Sequence, residues 1–321
     1  MRKNPYKIGR NSDESSPRRA GRLTLKGREG RIPRIVLITV GALLLLVLLV
    51  SLMRPETQLM GSVEIKRIES KGSLSVGVRG DMPGFCEDGE GFEAELAKLL
   101  ARRILPDSED ALSLEVCTVK TVSTKLSDGS IDVAIALQPE GSGSAYSYSY
   151  PYFTDKVRLV TLTKENSEKE PRELIIGYIP ETAAGSRFTS YVSRVTASEE
   201  QNLIEKLLRK PKPTPDPATA VTIESKKYGS YDELIAALKR GDVDAIALSG
   251  AYIYKFFVAG AEEYELPEYY LCDTEIGVLK YCVVASSDEP ALTQIADMLI
   301  YEIGESGLLR ELTNKYLADV P

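Results

Sequence analysis

Two aspartates in similar surroundings are the first candidates for acid–base chemistry in this sequence. Asp132 and Asp244 lie 112 residues apart, and each follows a glycine and a β-branched residue and precedes a short apolar run. A pair of carboxylates can divide acid and base roles when their pKa values differ. Both aspartates, however, stand where strands are expected to begin, and a carboxylate there more often binds backbone N–H groups. We therefore expect a structural role for both.

Four tyrosines at every other position form a second candidate. If their segment is extended, all four side chains point to one face, because successive residues of a strand alternate between faces. Such a row could stack against a ring or a sugar. Ordinary packing within a strand is the alternative, and the one that we favour. The four residues are Tyr146, Tyr148, Tyr150 and Tyr152.

Histidine is absent from all 321 residues. This excludes a His general base, a Ser-His-Asp or Cys-His nucleophile and a His-ligated metal. The four cysteines are too few for a disulfide scaffold in a chain of this length, and they lack the close spacings of a Cys₄ zinc site. We therefore expect no catalytic residue, no metal and no cofactor.

A long apolar run divides the charge of the chain. Residues 1–34 hold eleven Lys and Arg and three acidic residues, a net charge of +8, so the overall −7 leaves −15 for the rest. Residues 35–53 are uncharged and, at about 1.5 Å per residue, long enough to cross the hydrocarbon core of a bilayer. Segments rich in Lys and Arg next to a transmembrane helix usually remain in the cytoplasm. We therefore expect a cytoplasmic N-terminus and an acidic part outside the cell.

The N-terminal region is thus expected to have three parts. Residues 1–34 would be a disordered basic cytoplasmic tail, residues 35–53 an uncleaved single-pass transmembrane anchor in the lipid bilayer, and residues 54–67 a stalk with a short helical stretch. A cleaved signal peptide is the alternative for the apolar run. The acidic exported part argues against a nucleic-acid partner.

The elements that must position the candidate residues indicate an α/β fold. Residues 74–78 form a compact apolar run typical of a buried strand, residues 92–104 have apolar positions at helical spacing, and residues 114–119 indicate another strand. Strand, helix and strand at this spacing predict parallel strands. Residues 126–136 are then repeated in residues 238–248, each with a helix-ending Gly before the aspartate. The repeat predicts two similar lobes.

In their order and spacing these motifs resemble the family 3 extracellular solute-binding proteins, the amino-acid-binding receptors of bacterial ABC importers. The resemblance covers roughly residues 68–318. It is carried by residues 72–85, 91–97, 126–132, 148–152, 230–245 and 304–308. It implies a two-lobed, periplasmic-binding-protein-like fold of type II, here behind an N-terminal transmembrane helix.

The resemblance also implies how the lobes are assembled. Lobe one would comprise residues 68–165 and 270–321, and lobe two residues 166–269. Two strands would join them as a hinge, and a ligand in the cleft would be enclosed by hinge motion.

The charged ligand clamp of the family is not matched here. Members place an Arg after a Thr-Pro-Glu-like turn to pair with the ligand's α-carboxylate, and an Asp at the end of a lobe-two strand for its α-ammonium. In this chain the turn, residues 138–144, has no Arg, and the Asp position is Ser249. We expect a small-molecule ligand that is not a standard α-amino acid. The candidate ligand-binding residues are Asp81, Phe85, Gln138, Tyr148, Tyr152, Thr182, Ser249 and Tyr252.

Export would permit disulfide bonds between the cysteines. In a fold of this family Cys86 would follow the first strand and Cys117 would end its neighbour, while Cys272 and Cys282 would lie on consecutive strands. Of the three possible pairings we favour Cys86–Cys117 with Cys272–Cys282.

Three functions follow from these expectations. The first is a membrane-anchored extracellular solute-binding protein that delivers a small ligand to an ABC permease in the membrane. The second, favoured by the missing clamp, is a sensory or regulatory module that uses the same fold without transport or without a small ligand. The third, an enzyme on this fold such as a dehydratase, is disfavoured because no His, Lys or Arg stands at the clamp positions, so we expect no enzyme.

Overall fold

The computed structural model of the protein describes residues 40–45, 59–141, 145–209 and 223–321. The strands in these residues are β1 (Leu74–Val78), β2 (Asp81–Met82), β3 (Cys86–Glu87), β4 (Leu112–Val116), β5 (Val133–Ile135), β6 (Tyr146–Thr161), β7 (Ile176–Tyr178), β8 (Ser225–Lys227), β9 (Ala245–Ser249) and β10 (Tyr270–Ser286). The α-helices are α1 (Val63–Lys71), α2 (Phe92–Ile104), α3 (Val122–Ser127), α4 (Lys164–Ser167), α5 (Ala183–Arg209), α6 (Tyr231–Arg240), α7 (Gly250–Ile253), α8 (Pro290–Glu305) and α9 (Leu308–Tyr316). A 3₁₀ turn covers Pro171–Glu173 and a π-helical turn covers Tyr254–Ala259.

The chain divides into two compact units, residues 1–53 and residues 54–321. In the first unit, residues 40–45 are helical. Among the described residues, no helix is both long enough and apolar enough to cross a membrane. The predicted tail 1–34 and the remainder of the predicted transmembrane segment 35–53 lie outside the described residues.

Eight strands of the second unit form one mixed sheet in the order β4-β1-β5-β10-β6-β9-β7-β8. Strand β1 pairs in parallel with β4 and β5, and β7 pairs in parallel with β8 and β9. We call the half built on β1, β4 and β5 lobe one, and the half built on β7, β8 and β9 lobe two. Apolar side chains pack on both faces of the sheet, since Val133 and Ile135 of β5 belong to one cluster and Ala134 between them to another.

Two long antiparallel strands join the lobes. Strand β6 has 16 residues and β10 has 17, and they pair with each other along most of their length. Strand β10 also pairs with β5 of lobe one, and β6 pairs with β9 of lobe two. The predicted two-lobed α/β fold is therefore confirmed. The separate strand signals near residues 270 and 280 belong to a single strand, whose pairing with β6 is interrupted by register shifts.

The repeated segments make the same contact in each lobe. In lobe one the N–H of Asp132 donates to the carbonyl of Ser75 at 2.8 Å, and the Asp132 carboxylate accepts from the N–H of Ser75 at 2.8 Å. In lobe two Asp244 and Ile175 make the same two hydrogen bonds, both at 2.8 Å. Each aspartate thus fastens the amino end of its strand to the neighbouring parallel strand, which confirms the structural interpretation of both.

Glycine ends the helix that precedes each of these strands. Gly241 is the C-cap of α6 with φ 74°, and Gly129, also at φ 74°, follows α3. This left-handed conformation is strained for residues with a Cβ, so glycine is the natural helix terminator. Both helix ends agree with the prediction made from the repeat.

Helix α1 is part of lobe one and begins inside the range expected to be a stalk. Its Ile65 and Ile68 are fully buried. Glu64 accepts from the N–H of Ala291 at 3.1 Å, at the first turn of α8. Arg67 binds the Asp132 carboxylate at 2.9 Å. Lobe one therefore starts earlier along the chain than the expected residue 68. The sequence analysis assigned the first residues of α1 to the stalk and did not recognise their apolar face.

Candidate functional site

A cavity of about 690 Å³ lies between the lobes. It is bounded by the segments that directly follow the parallel strands of both lobes, where ligands of open α/β sheets usually bind. Lobe one contributes Arg79, Thr118, Val119, Lys120, Leu137 and Pro139; lobe two contributes Ile179 to Ala184, Ser186, Gly229 to Tyr231, Ser249 and Tyr252; strand β10 contributes Leu279 and Tyr281.

A buried arginine supplies positive charge to this cavity. Arg79 follows β1 directly and is only 7% exposed. Its Nε and one terminal nitrogen donate to the two carboxylate oxygens of Asp81 at 2.9 and 3.0 Å, and its other terminal nitrogen donates to the Tyr252 hydroxyl at 3.0 Å. Burial lowers the pKa of Arg79, but the hydrogen bonds to Asp81 and Tyr252 raise it by more. The pKa of Arg79 therefore lies above the ordinary value. The guanidinium therefore remains charged.

Asp81, the partner of Arg79, also forms an ion pair that connects the two lobes. Lys255 of lobe two donates to Asp81 of lobe one at 2.7 Å. Burial raises the pKa of Asp81, but hydrogen bonds from Arg79 and Lys255 outweigh it and lower the pKa to about 2. Asp81 is thus ionised at neutral pH and holds one cation from each lobe. Its side chain is 53% exposed, so the pair with Lys255 is partly screened by solvent.

Aromatic rings form the lobe-two side of the cavity. Tyr231 and Tyr252 stack with ring centroids 4.4 Å apart and an interplanar angle of 16°. Phe256 packs behind both rings, at 5.4 and 6.1 Å between centroids. The Arg79 guanidinium lies 5.9 Å from the centroid of Tyr252, within cation–π range. The cavity thus combines one buried cation with a flat aromatic surface.

The N-terminal ends of two lobe-two helices also reach the cavity. The Thr182 hydroxyl accepts from the N–H of Gly185 at 3.0 Å in the first turn of α5, and the Ser230 hydroxyl accepts from the N–H of Glu233 at 3.2 Å in α6. Helix N-termini carry partial positive charge. Their position adds to the charge of Arg79 and favours an anionic group in the cavity.

A buried carboxyl group lies behind the lobe-one wall. Glu93 is fully buried and accepts from the N–H of Leu137 at 2.8 Å and from the Tyr152 hydroxyl. Its second oxygen has no hydrogen-bond partner among the described residues. Burial raises the pKa of Glu93 to about 7, although the bonds from Tyr152 and Leu137 oppose the shift. Leu137, which lines the cavity, has φ 50°, a left-handed conformation rare for a leucine.

A second buried carboxylate, Asp155, lies on the side of the cavity formed by the hinge strands. Asp155 of β6 accepts from the N–H groups of Gly250 and Ala251 at 2.8 and 3.1 Å, and from the Tyr281 hydroxyl at 3.1 Å. Burial raises the pKa of Asp155, while these hydrogen bonds oppose the rise. The Tyr281 hydroxyl also lies 3.4 Å from Oγ of Ser249. Asp155 thus joins both hinge strands to the start of α7.

Three of the eight predicted ligand-binding residues line the cavity: Thr182, Ser249 and Tyr252. Asp81 stands behind Arg79 and is not among the lining residues. The Thr182 hydroxyl is already engaged, since it donates to the carbonyl of Ile179 at 2.8 Å as well as capping α5.

The other four predicted residues do not line the cavity. Phe85 is fully buried and packs edge-on against Phe153 at 5.3 Å. The Gln138 side chain donates to the carbonyl of Ala136 at 3.2 Å, and Tyr148 packs against Tyr146. The remaining residue, Tyr152, is buried and contacts Glu93. Each of these side chains has a structural partner in place of a ligand.

The alternating tyrosines do not form a single wall. Tyr146 and Tyr148 pack against one core cluster, Tyr150 is 68% exposed, and Tyr152 belongs to another cluster. Register shifts near Cys282 interrupt the regular alternation of β6 against β10. The packing interpretation is the correct one.

The predicted disulfide bonds are wrong, because all four cysteines are free and buried. Cys272 and Cys282 lie ten residues apart on the single strand β10, which separates them by about 33 Å. A disulfide requires Cα atoms within about 7 Å. Cys86 and Cys117 belong to different core clusters of lobe one. The error in the Cys272–Cys282 pairing came from dividing β10 into two strands.

The sequence analysis missed most of the residues that line the cavity, among them Arg79, Tyr231 and Tyr281. Arg79 carried a usable signal, since it directly follows the apolar run of β1, at the end of a parallel strand where ligands bind. Tyr231 directly follows the helix-capping Ser230. Tyr281 carried no comparable signal, because its neighbours in space come from β6 and β9.

Comparison with known proteins identifies the class to which this fold and cavity belong. Residues 74–319 match the family model of bacterial extracellular solute-binding proteins, family 3. A glutamine-binding protein of Geobacillus stearothermophilus is 28% identical over 202 residues, which cover 60% of this chain and 67% of that protein.

Solved structures share the fold. A solute receptor for L-cysteine from Neisseria gonorrhoeae has a TM-score of 0.56 at 20% identity and covers 80% of this chain and 94% of its own. An amino acid ABC transporter substrate-binding protein from Streptococcus pneumoniae, bound to L-arginine, has a TM-score of 0.55 at 17% identity and covers 79% of this chain and 98% of its own.

The matched family is one of solute-binding proteins, so the expectation of a non-catalytic protein is confirmed. The family match extends over most of the chain, from β1 to the residues after α9. The protein therefore belongs to the bacterial extracellular solute-binding proteins of family 3.

Proposed function

We propose that the protein captures a small solute in the cavity between its lobes and delivers it to the permease of an ABC importer. The observation that carries this proposal is the construction of the cavity. Its walls come from the ends of parallel strands in both lobes, and β10 of the hinge forms part of its lining. Rotation of one lobe against the other would open and close such a cavity around a ligand.

The solute is not a standard α-amino acid. The lining residues include the buried Arg79, whereas the acidic residue among them, Glu181, is exposed at the rim. Ser249 stands where we expected the family's ammonium-binding aspartate, and it lies against Tyr281. An α-ammonium group transferred from water into this cavity would lack a buried carboxylate partner, which is costly.

We also propose that residues 35–53 anchor the protein in the cell membrane, with the N-terminus in the cytoplasm and the two-lobed unit outside. This proposal is supported by the uncharged run of 19 residues and by the eleven basic residues before it. Cell fractionation tests it. The full chain should stay in the membrane pellet after an alkaline carbonate wash, and deletion of residues 35–53 should release it. Release of the full chain by carbonate would contradict the anchor.

A thermal-shift screen of the full chain tests solute capture. The library should contain amino acids, peptides, sugars, nucleotides, amines and organic carboxylates. A ligand that binds only the folded state adds about 2.7 kcal/mol at a concentration hundredfold above its Kd. At least one compound should therefore raise the midpoint of unfolding.

Two variants locate the binding event. Ala183→Trp places a large side chain in the cavity and should abolish the shift. Ser193→Trp, an exposed position on the same helix outside the lining, should retain it. An equal loss in both variants, or no shift with any compound, would contradict solute capture. The second result would favour a sensory or regulatory module that uses the fold without a small ligand.

A further inference from the structure

We propose that the solute is an organic carboxylate without an α-ammonium group, and that Arg79 is the residue that binds its anionic group. The inference rests on the proposed capture of a solute in this cavity. It adds the chemical class of the solute and names the residue that recognises it.

Arg79 retains donors for a ligand although it already has two partners. A guanidinium has five N–H donors. Two of these go to Asp81 and one goes to Tyr252. Among the described residues nothing else accepts from Arg79, so one N–H group is left on each terminal nitrogen. The free N–H groups lie in the plane of a charged guanidinium, whose hydrogen bonds to carboxylate oxygens are strong.

The existing partners of Arg79 hold the guanidinium in place. Asp81 binds it on one side, and Tyr252 contacts it through both the hydroxyl and the ring. A long flexible side chain normally loses rotational freedom when it binds, and this loss weakens the complex. Because Arg79 is already fixed at the wall of the cavity, a ligand carboxylate would not have to order it.

Lobe two offers further donors on the opposite wall. The N–H groups of Ala183 and Ala184 open helix α5, line the cavity and have no acceptor among the described residues. The first N–H groups of a helix cannot be paired within the helix. With Arg79 in lobe one, these donors could hold a carboxylate from both sides, and its binding would then favour the closed arrangement of the lobes.

No buried carboxylate among the described residues is free to receive an ammonium group in the cavity. The oxygens of Asp155 face Gly250, Ala251 and Tyr281, and Glu93 lies behind Leu137 and does not line the cavity. Asp81 is the rival receptor, but its two oxygens already bind Arg79 and Lys255. The remaining surface, with the rings of Tyr231 and Tyr281 and the side chains of Val119 and Leu137, suits an apolar or planar body.

Two matched series of compounds test the ligand class by calorimetry on the full chain. One is L-phenylalanine, 3-phenylpropanoate and 2-phenylethylamine; the other is L-leucine, 4-methylpentanoate and 3-methylbutylamine. Each series keeps the body constant and removes either the ammonium or the carboxylate. In at least one series the ammonium-free carboxylate should bind tenfold or more tightly than the amino acid, and the amine should not bind.

Substitution of Arg79 tests the receptor. Arg79→Gln should weaken binding of that carboxylate by roughly tenfold or more, the effect of losing one charge-assisted hydrogen bond. Arg79→Lys keeps the charge without the planar pair of donors and should bind with intermediate affinity. The control is Arg240→Gln, an exposed arginine paired with Asp242 at the end of α6, which should bind as the unmodified protein does. If an Arg79 variant does not fold, the two compound series still decide the class.

Three results would overturn the inference. Tighter binding of the amino acids or the amines would assign recognition to Asp81 or another acid. Binding of a sugar or an amine from the thermal-shift library, with no carboxylate of either series bound, would refute the carboxylate class and leave solute capture intact. No binding by any compound would refute solute capture as well.

Discussion

The two lobes are alike at the amino ends of their strands and different at the carboxyl ends. At the amino ends, Asp132 and Asp244 make the same pair of hydrogen bonds to a neighbouring strand. At the carboxyl ends, lobe one presents the Arg79–Asp81 ion pair, whereas lobe two presents stacked tyrosines and helix N-termini. The internal repeat thus builds the scaffold twice, and the cavity obtains its chemistry from the segments in which the lobes differ.

The amino ends also differ in one respect. Asp132 binds Arg67 at 2.9 Å and Lys71 at 3.2 Å in addition to the Ser75 backbone. Asp244 makes only the backbone contact among the described hydrogen bonds and ion pairs. Helix α1 supplies both cations, so the aspartate of lobe one secures an extra element as well as a strand.

The largest expected effect is the dependence of the free energy of unfolding on pH that Glu93 causes. Glu93 belongs to lobe one, and no carboxylate in the described part of lobe two is as buried. Its pKa is about 7 in the folded state against an ordinary 4.5, so the folded protein holds the proton more tightly than the unfolded chain. This contribution to stability is complete below pH 4.5 and is lost as the pH rises through 7. The difference amounts to roughly 3 kcal/mol.

Denaturant unfolding of the full chain and of Glu93→Gln at pH 5 and pH 8 measures this effect. The free energy of unfolding of the unmodified protein should fall relative to that of Glu93→Gln as the pH increases. Parallel pH profiles in the two proteins would show that Glu93 has an ordinary pKa.

The next effect is the loss of the lobe-one aspartate. Asp132→Ala leaves the buried N–H of Ser75 without an acceptor and removes the partner of two partly exposed cations. The free energy of unfolding should decrease by about 3 kcal/mol or slightly less, most of it from the unpaired N–H group. Denaturant unfolding at pH 7 measures the change, and a loss below about 1 kcal/mol would contradict the assigned role.

The lobe-two aspartate should contribute less. Asp244→Ala removes one hydrogen bond to the N–H of Ile175, and Asp244 is only partly buried. We expect a loss of about 1–2 kcal/mol in the same assay. A larger loss for Asp244→Ala than for Asp132→Ala would show that α1 adds nothing to the lobe-one contact.

The smallest effect concerns the ion pair between the lobes. Lys255→Met removes the contact with Asp81, which is half exposed. The expected change in the free energy of unfolding is about 0.5 kcal/mol, and it should disappear in 1 M salt. Arg240→Met, which removes an exposed pair within lobe two, is the matched control. A change above about 2 kcal/mol would mean that the lobes depend on this pair for stability.

The sequence predicted the features that local patterns determine. The repeat around Asp132 and Asp244 indicated two lobes, and the helix-ending glycines lay where the pattern required them. Thr182, Ser249 and Tyr252 line the cavity because Ser249 ends a lobe-two strand and the other two come shortly after such strands.

Features that depend on long-range pairing were not predictable in the same way. The register shifts of β6 against β10 dispersed the four tyrosines, and the continuity of β10 separated the two cysteines. Arg79 was overlooked because the expected arginine was sought after a different strand. The sequence does not reveal that Arg79 and Tyr252, 173 residues apart, lie within 3.0 Å of each other.

The most direct test of the account is the identity of the small molecule that copurifies with the protein. Full chain and the Ala183→Trp variant, produced in the same cells, would be denatured and the released molecules compared by mass spectrometry. The account predicts a carboxylate without a primary amine in the unmodified protein and its absence from Ala183→Trp. An α-amino acid in the unmodified protein, or the same molecules from both proteins, would contradict it.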